Sequence, residues 1–449
     1  KKNFKENEKF LISGSNLYKR LSKNNERKKI LKNLIDNHCK EKNIWCSYGY
    51  INNFSYDWLQ KDFLNFSKKL RSCLPKYKTK KISEINYKEN SKIKIGFISA
   101  DLYSNHSVTH FLYKVLMNLD KKKFSVNIFS LLDESLSDET TYKFKEISEK
   151  WHEIEKYKNQ EIVNIIQEEK IEILIDLMGL TGGNRVELFN SRISPVQINW
   201  LGYNNTIGLK HSDYLISDNF SIYNGEEKYY SEKIIKLPKI WNCHSGFIKK
   251  RILNETPFKL NNHITFGSFN NFLKISNETI EAWSKILKNV KNSKLILKSS
   301  VNLDKGSLLQ KFKKNGIENS IIIFNKTNFD EHLNMYNKID LALDTFPYNG
   351  VTTTFESLWM SVPVLTIKGF NFNSRCGESI LRNAKLEYLI ADDIESYVEK
   401  AIFLSNNIDE IINLRNKIYN GILKTPLFSS KEFTKDFTDV LLKVYKKSN

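Results

Sequence analysis

Thr352, Thr353 and Thr354 follow a proline and an Asn349-Gly350 pair, and they open the segment TTTFESLWM. Gly350 permits backbone angles that a side chain would forbid. The apolar run IDLAL at 339–343 leads into the loop, and VPVLTI after Pro363 reads as the next strand. The unit is strand, tight polar loop, helix, strand. A helix starting at the threonines would present unpaired N–H groups, a partial positive charge and hydroxyls, which together make a seat for a phosphate. Glu356 lies one turn in, where a carboxylate could hold a ribose diol. The same residues also fit a capping box, in which Thr353 and Glu356 only satisfy each other's backbone donors.

A second stretch, FGSFNNFLKIS at 266–276, repeats this logic. A strand ends in the pair Asn270-Asn271, Lys274 follows, and Ser276 can cap a helix whose apolar face is Ile280, Trp283, Leu287 and Val290. A lysine just before a helix start opposes the dipole unless an anion lies between. The alternative is a solvated lysine in a lysine-rich chain. A third stretch, SADLYSNHSVTHF at 99–111, follows another strand. His106 and His110 could share a helix face, but Ser107 stands where a zinc motif would need Glu, so no metal is expected there. A histidine in the loop after a first strand suits acid–base or hydrogen-bonding work. The chain has no Asp-x-Asp, the usual mark of metal-dependent diphosphate binding. Lys274, the threonine hydroxyls and the helix start could neutralise a diphosphate instead.

These residues need a scaffold. Residues 1–88 read as a helical, lysine-rich segment, with 76–92 polar and linker-like. From 89 to 240 strands and helices alternate: KIKIGFIS, FSVNIFSLL, IEILIDLMG, VQINWLGY and DYLISD are strands, and TYKFKEISEKW and NQEIVNIIQEEK are helices. A polar break near 240–262 precedes a second alternation over 260–425, with strands ITFGSF, SKLILKS, SIIIF and IDLALD. The pattern predicts two doubly wound α/β domains in tandem with a cleft site, and a C-terminal amphipathic helix over 426–449 that crosses back to the first.

Composition narrows the classes. The chain has 449 residues and a formal charge of +19, spread throughout rather than gathered in a patch. It carries no recognisable nucleic-acid module, so a nucleic-acid partner is not expected; a positive surface suits anionic partners such as nucleotide sugars or acidic proteins. Without a long apolar run or an apolar core behind the basic N-terminus, neither a membrane span nor a secretory signal is expected. Five cysteines without paired spacing fit a reducing cytoplasm.

From about Lys92 to Tyr419, the blocks SADLYSNHSVTHF, IEILIDLMGLTGGNR, SPVQINWLGYNNTIG, YYSEKIIKLP, FGSFNNFLKIS and DTFPYNGVTTTFESLWMSVPVLT stand in an order that resembles the O-GlcNAc transferase family of protein glycosyltransferases, including its SPINDLY branch. The resemblance implies a GT-B fold and an inverting, metal-independent transfer of a sugar, GlcNAc from UDP-GlcNAc, to a protein Ser or Thr. No cofactor is implied beyond the nucleotide-sugar donor; the acceptor partner is a protein or peptide. It places Lys274 on the donor diphosphate and Thr352 and Thr353 on the phosphates, with Asn271 also on the donor side. Glu356 is placed at the ribose, His332 beside the base and Gly202 in the loop lining the sugar pocket. His106 is placed near sugar and acceptor, where it could receive or relay the acceptor proton. Four departures stand out: Val351 replaces a histidine, Tyr348 replaces a small residue near the sugar, NNTIG replaces the usual Pro-Gly-Thr, and tandem helical repeats are not evident. The FPY and FGSFNN wording is close to the SPINDLY branch, whose donor is GDP-fucose. Fucose transfer, glucose transfer to Asn, and a catalytically silent binding module remain the alternatives.

Overall fold

The computed structural model describes residues 2–21, 23–37, 39–84, 92–104, 106–247, 251–298 and 305–448. The expected boundary at 88–89 lies outside the described residues. Two compact units emerge, and the chain threads between them more than once. Residues 59–246 with 426–449 form one, and residues 1–58 with 247–425 form the other.

The first unit holds strands β1 (Ile93–Ser99), β2 (Phe124–Ser130), β3 (Lys150–Glu153), β4 (Ile173–Asp176), β5 (Val196–Asn199), β6 (Tyr214–Asp218) and β7 (Lys233–Leu237). They form one parallel sheet in the order β3-β2-β1-β4-β5-β6-β7. The second holds β8 (Thr265–Ser268), β9 (Lys294–Lys298), β10 (Ile321–Phe324), β11 (Leu341–Leu343), β12 (Val364–Ile367) and β13 (Ile390–Ala391). Its order is β10-β9-β8-β11-β12-β13, again all parallel. Strands such as β2 and β4 are buried along their whole length, as expected of parallel strands covered on both faces. Strand order reverses between β1 and β4 in one sheet and between β8 and β11 in the other. Those two switch points are where doubly wound sheets bind ligands, outside the carboxyl ends of the strands.

Two readings need correction. TYKFKEISEKW is not one helix: the helix is Glu139–Ile147, and the segment's last residues, Lys150 and Trp151, begin β3. With only partial burial, β3 is an edge strand without the apolar signal of the others. Gly350 is not in a left-handed conformation. A Cβ there would lie 2.5 Å from Thr353 Oγ1 and 2.8 Å from Asn270 Oδ1, so close approach explains the glycine.

Helices α1 (Lys2–Arg20), α2 (Asn24–Asp36) and α3 (Lys42–Ile51) pack in sequence and belong to the β8–β13 unit. Asn24 Nδ2 donates to the Leu273 carbonyl at 2.9 Å, and the Phe54 ring stacks on Tyr348 at 5.3 Å. The helix Ser430–Ser448 closes the β1–β7 unit. Phe437 lies 4.6 Å from the Trp200 ring, Lys239 pairs with Glu432 at 2.7 Å, and the Tyr445 hydroxyl donates to Glu172. α4 (Gln60–Cys73) and α5 (Ser107–Asn118) also belong to this unit.

Candidate functional site

Each switch point carries a cluster of polar side chains. At the exit of β11, Asp344 is 2% exposed. Its Oδ1 accepts from the Gly350 and Thr345 N–H groups at 2.7 and 2.8 Å, and its Oδ2 from Thr366 Oγ1 at 2.8 Å. Burial pushes its pKa up to about 6, against the pull of these donors. The carboxylate thus folds the loop 345–350 back on itself and sets where the next helix starts.

That helix runs Thr352–Trp359, and its N-cap Val351 makes no side-chain cap. The capping-box alternative fails. Thr353 Oγ1 donates to Asn270 Oδ1 at 2.9 Å, across the switch point, and Glu356 turns elsewhere. The first intrahelical bonds come from the Thr354 and Phe355 N–H groups to the Val351 carbonyl. The N–H groups of Thr352 and Thr353 find no acceptor among the described residues, so the helix start retains its capacity for an anion.

Lys274 is not a solvated lysine. Its Nζ donates to the Asn349 carbonyl at 2.7 Å and lies 4.2 Å from the centre of the Tyr348 ring. Burial pulls its pKa down to about 8, opposed by the charge of Asp344. Asn271 Oδ1 accepts from the Leu273 N–H at 3.0 Å and shapes the short turn that carries Lys274; Ser276 caps the next helix, Asn277–Asn289, as expected.

Glu356 and His332 belong to one chain of contacts. Glu356 is 4% exposed, and its Oε2 lies 2.9 Å from His332 Nε2 and accepts from the Tyr336 hydroxyl at 2.9 Å. On the other side of the ring, Lys298 Nζ lies 2.8 Å from Nδ1. An ammonium can only donate, so Nδ1 accepts and Nε2 carries the proton toward Glu356. Both ring nitrogens are committed, leaving the ring face, beside Phe269 and Phe329, for other contacts. Sequence reading missed Lys298, Tyr336 and Asn270. A lysine closing the apolar strand KLILK was the available signal for the first.

In the β1–β7 unit, His106 is the N-cap of α5, so it does not share a helix face with His110. Its Nδ1 accepts from the Val108 N–H at 3.4 Å, and Nε2 lies 3.5 Å from Asp101 Oδ1. Burial pulls the imidazole down to about 4 and, with Asp176 nearby, pushes Asp101 up to about 7. Asp176 ends β4 and accepts from the Met178 and Gly179 N–H groups at 2.9 and 3.0 Å. Gly202 lies against the same strand exit: a Cβ there would sit 1.8 Å from the Leu177 carbonyl oxygen, so packing alone requires glycine. Among the described residues there is no group of three or more His, Cys, Asp or Glu side chains that could hold a metal, and no helix is long and apolar enough to cross a membrane.

A family model described as Glycosyl transferase family 41 matches residues 67–255 and 254–437. The chain is similar to the probable UDP-N-acetylglucosamine–peptide N-acetylglucosaminyltransferase SPINDLY of Solanum lycopersicum, at 30% identity over 89% of this chain and 43% of that one. It is similar to the protein of the same name in Petunia hybrida at 32% identity, over 79% and 39%. It thus spans about two fifths of the length of these relatives. Among solved structures, a mutant of Thermobaculum terrenum O-GlcNAc transferase superposes with a TM-score of 0.90 over 98% of this chain and 84% of that one, at 22% identity. That likeness establishes the GT-B class of the fold.

Proposed function

Because the chain belongs to glycosyl transferase family 41, we propose that it is an inverting glycosyltransferase that moves a sugar from a nucleotide diphosphate to a protein Ser or Thr hydroxyl, without a metal. The observation that carries this reading is the set at the β8/β11 switch point: a desolvated ammonium on Lys274, a helix start with two unpaired N–H groups at Thr352 and Thr353, and the His332–Glu356 pair. Such a set suits a nucleotide diphosphate. Lys274 and the helix start take the phosphates, the His332 ring face takes the base, and Glu356 fixes His332 on the nucleoside side. Direct contact between Glu356 and the ribose requires its second oxygen. Asn271 acts on the donor through the turn that presents Lys274. Gly202 and His106 are the proposed residues for the sugar and the acceptor. Charge develops on the diphosphate as the glycosidic bond breaks, and preorganised donors are worth most there.

UDP-GlcNAc is the proposed donor. GDP-fucose is the second reading, favoured by Tyr348, which replaces a small residue near the donor sugar and whose ring lies 4.2 Å from the Lys274 ammonium. A donor screen decides. Calorimetric binding of UDP-GlcNAc, GDP-fucose and UDP-glucose, followed by release of free sugar in excess EDTA, should single out one of the first two. Binding of none would sink the transferase reading, and activity restored only by Mn²⁺ would sink the metal-free mechanism.

A further inference from the structure

We infer that Lys298 selects the base of the donor, favouring an oxo group at C4 of a pyrimidine or C6 of a purine over an amino group. The inference rests on the transferase reading, in which the His332 ring face takes the base, and it names the class of base within it.

Lys298 closes β9, and it is only 3% exposed. Burial holds its ammonium below the usual lysine pKa, and the charge of Glu356 opposes that pull. An ammonium has three donors and no acceptor. One donor is spent on His332 Nδ1 at 2.8 Å. Among the described residues the other two have no hydrogen-bond partner, and no carboxylate lies within ion-pair distance of Nζ. The other charges acting on it, Lys326 and Glu331, are exposed, and neither bonds to it. Buried donors left unmade are costly, so this pair calls for an acceptor.

The ring between Lys298 and Glu356 says which acceptor. The two side chains flank the imidazole at its opposite nitrogens, Nδ1 and Nε2. Glu356 is carried by the helix that starts at Thr352, where the proposed phosphate seat lies. It therefore marks the ribose end of the ring, and Lys298 marks the end away from it. A base stacked on the ring face turns toward Lys298 the edge remote from its bond to ribose. In a pyrimidine that edge carries the C4 substituent, and in a purine the C6 substituent. Phe269, 5.6 Å from the imidazole centre, borders the same ring and offers no polar group. Lys298 is thus the donor that the remote edge meets. An oxo group there accepts from the ammonium. An amino group sets donor against donor and leaves both unpaired, which is discrimination by rejection as much as by attraction. Uracil and guanine pass this filter; cytosine and adenine do not. Every residue in the argument belongs to the β8–β13 unit.

The test is calorimetric binding of UDP, CDP, GDP and ADP to the full chain. UDP and CDP differ in the group at C4, GDP and ADP in the group at C6. In the ring size that the chain takes, the oxo member should bind about 10–100-fold more tightly than its amino counterpart, the worth of a hydrogen bond to a charged donor. Lys298→Met should bring that ratio toward one, by weakening the oxo member and sparing the amino member. If the methionine variant does not fold, Lys298→Gln, with a neutral donor in place of the ammonium, gives the same reading. A lysine that only holds His332 in place would act differently: its loss would weaken both members alike and leave the ratio standing, which overturns the inference. A wild-type chain that binds the amino member as tightly as the oxo member overturns it without any variant. A wild-type chain that binds neither UDP nor GDP defeats the transferase reading instead, which keeps the two failures apart.

Discussion

The two switch points occupy the same place in two parallel sheets that share a strand order over six strands, yet their polar groups are wired differently. At β8/β11 the polar side chains are joined to one another and to the backbone. Asp344 takes donors on both oxygens, Glu356 joins His332 and Tyr336, and Lys298 closes the far side of the imidazole. At β1/β4 Asp176 is similarly filled, but Asp101 is left with one long approach from His106. A filled network holds its members still, which suits a site that must present a fixed charge and a fixed ring. A carboxylate with spare acceptor capacity and little solvent suits a site that must take up a proton. Buried polar groups are normally satisfied, so a carboxylate with a single long approach marks a less constrained place than one held by several donors.

The largest effect is expected where the filled cluster meets the leaving group. Lys274→Ala should lower kcat by about 10²–10³-fold, with a smaller loss of donor affinity, because its charge matters most in the transition state. Lys274→Arg should rescue only partly, since a planar guanidinium does not reproduce a compact ammonium held against Tyr348 and the Asn349 carbonyl. The lysine is useful only while protonated. With its pKa pulled to about 8, kcat/KM should therefore decline as pH rises through that value in the free enzyme. Steady-state kinetics on both variants checks this. Near-normal turnover of the alanine variant would erase the proposed division of labour between the clusters.

Glu356→Gln asks whether the filled cluster works as a unit. Glutamine keeps an acceptor but loses the charge that balances Lys298 across His332. Nucleotide affinity should weaken about tenfold, and stability should drop by roughly 1–3 kcal/mol, as buried partners lose a charged acceptor. Melting and nucleotide binding on one variant measure both. A change in stability alone would make the Lys298–His332–Glu356 chain a packing feature.

Much of this was legible in the sequence because it is local. Strand-helix alternation marked both sheets, Ser276 announced its cap, and the polar loop after IDLAL marked the β11 exit. What was not legible is what the fold brings together from a distance. Lys298 and His332 are joined only because β9 ends beside the helix Phe329–Met335. Glu356 offered a capping-box spacing that the Val351 backbone leaves unused. Asp101 stood inside a block already singled out, but its approach to His106 and the N-cap bond of that histidine depend on the folded turn between β1 and α5. The grouping of α1–α3 with the β8–β13 unit rests on contacts such as Asn24 to Leu273, which no periodicity encodes.

The smallest effect, and the most direct probe of the contrast, is the pH dependence of stability at Asp101. Its folded pKa, about 7, lies above the ordinary carboxylate value of 3.8. Between those values the folded state binds the proton more tightly than the unfolded chain, so this group makes the protein less stable as pH rises through that window. Above it, the ionised carboxylate is 15% exposed and has only the 3.5 Å approach of His106. Asp101→Asn removes that penalty. It should melt higher than wild type at pH 8, by about 2–4 °C, and match it near pH 4, where Asp101 is mostly neutral in the folded state. The sign is the decisive part. Replacing a carboxylate that serves as a structural acceptor, as Asp344 does, lowers the melting temperature at every pH where it was ionised. Replacing one held in readiness raises it. An Asn variant less stable at pH 8 would place Asp101 with Asp344 and Asp176, as a member of the filled kind.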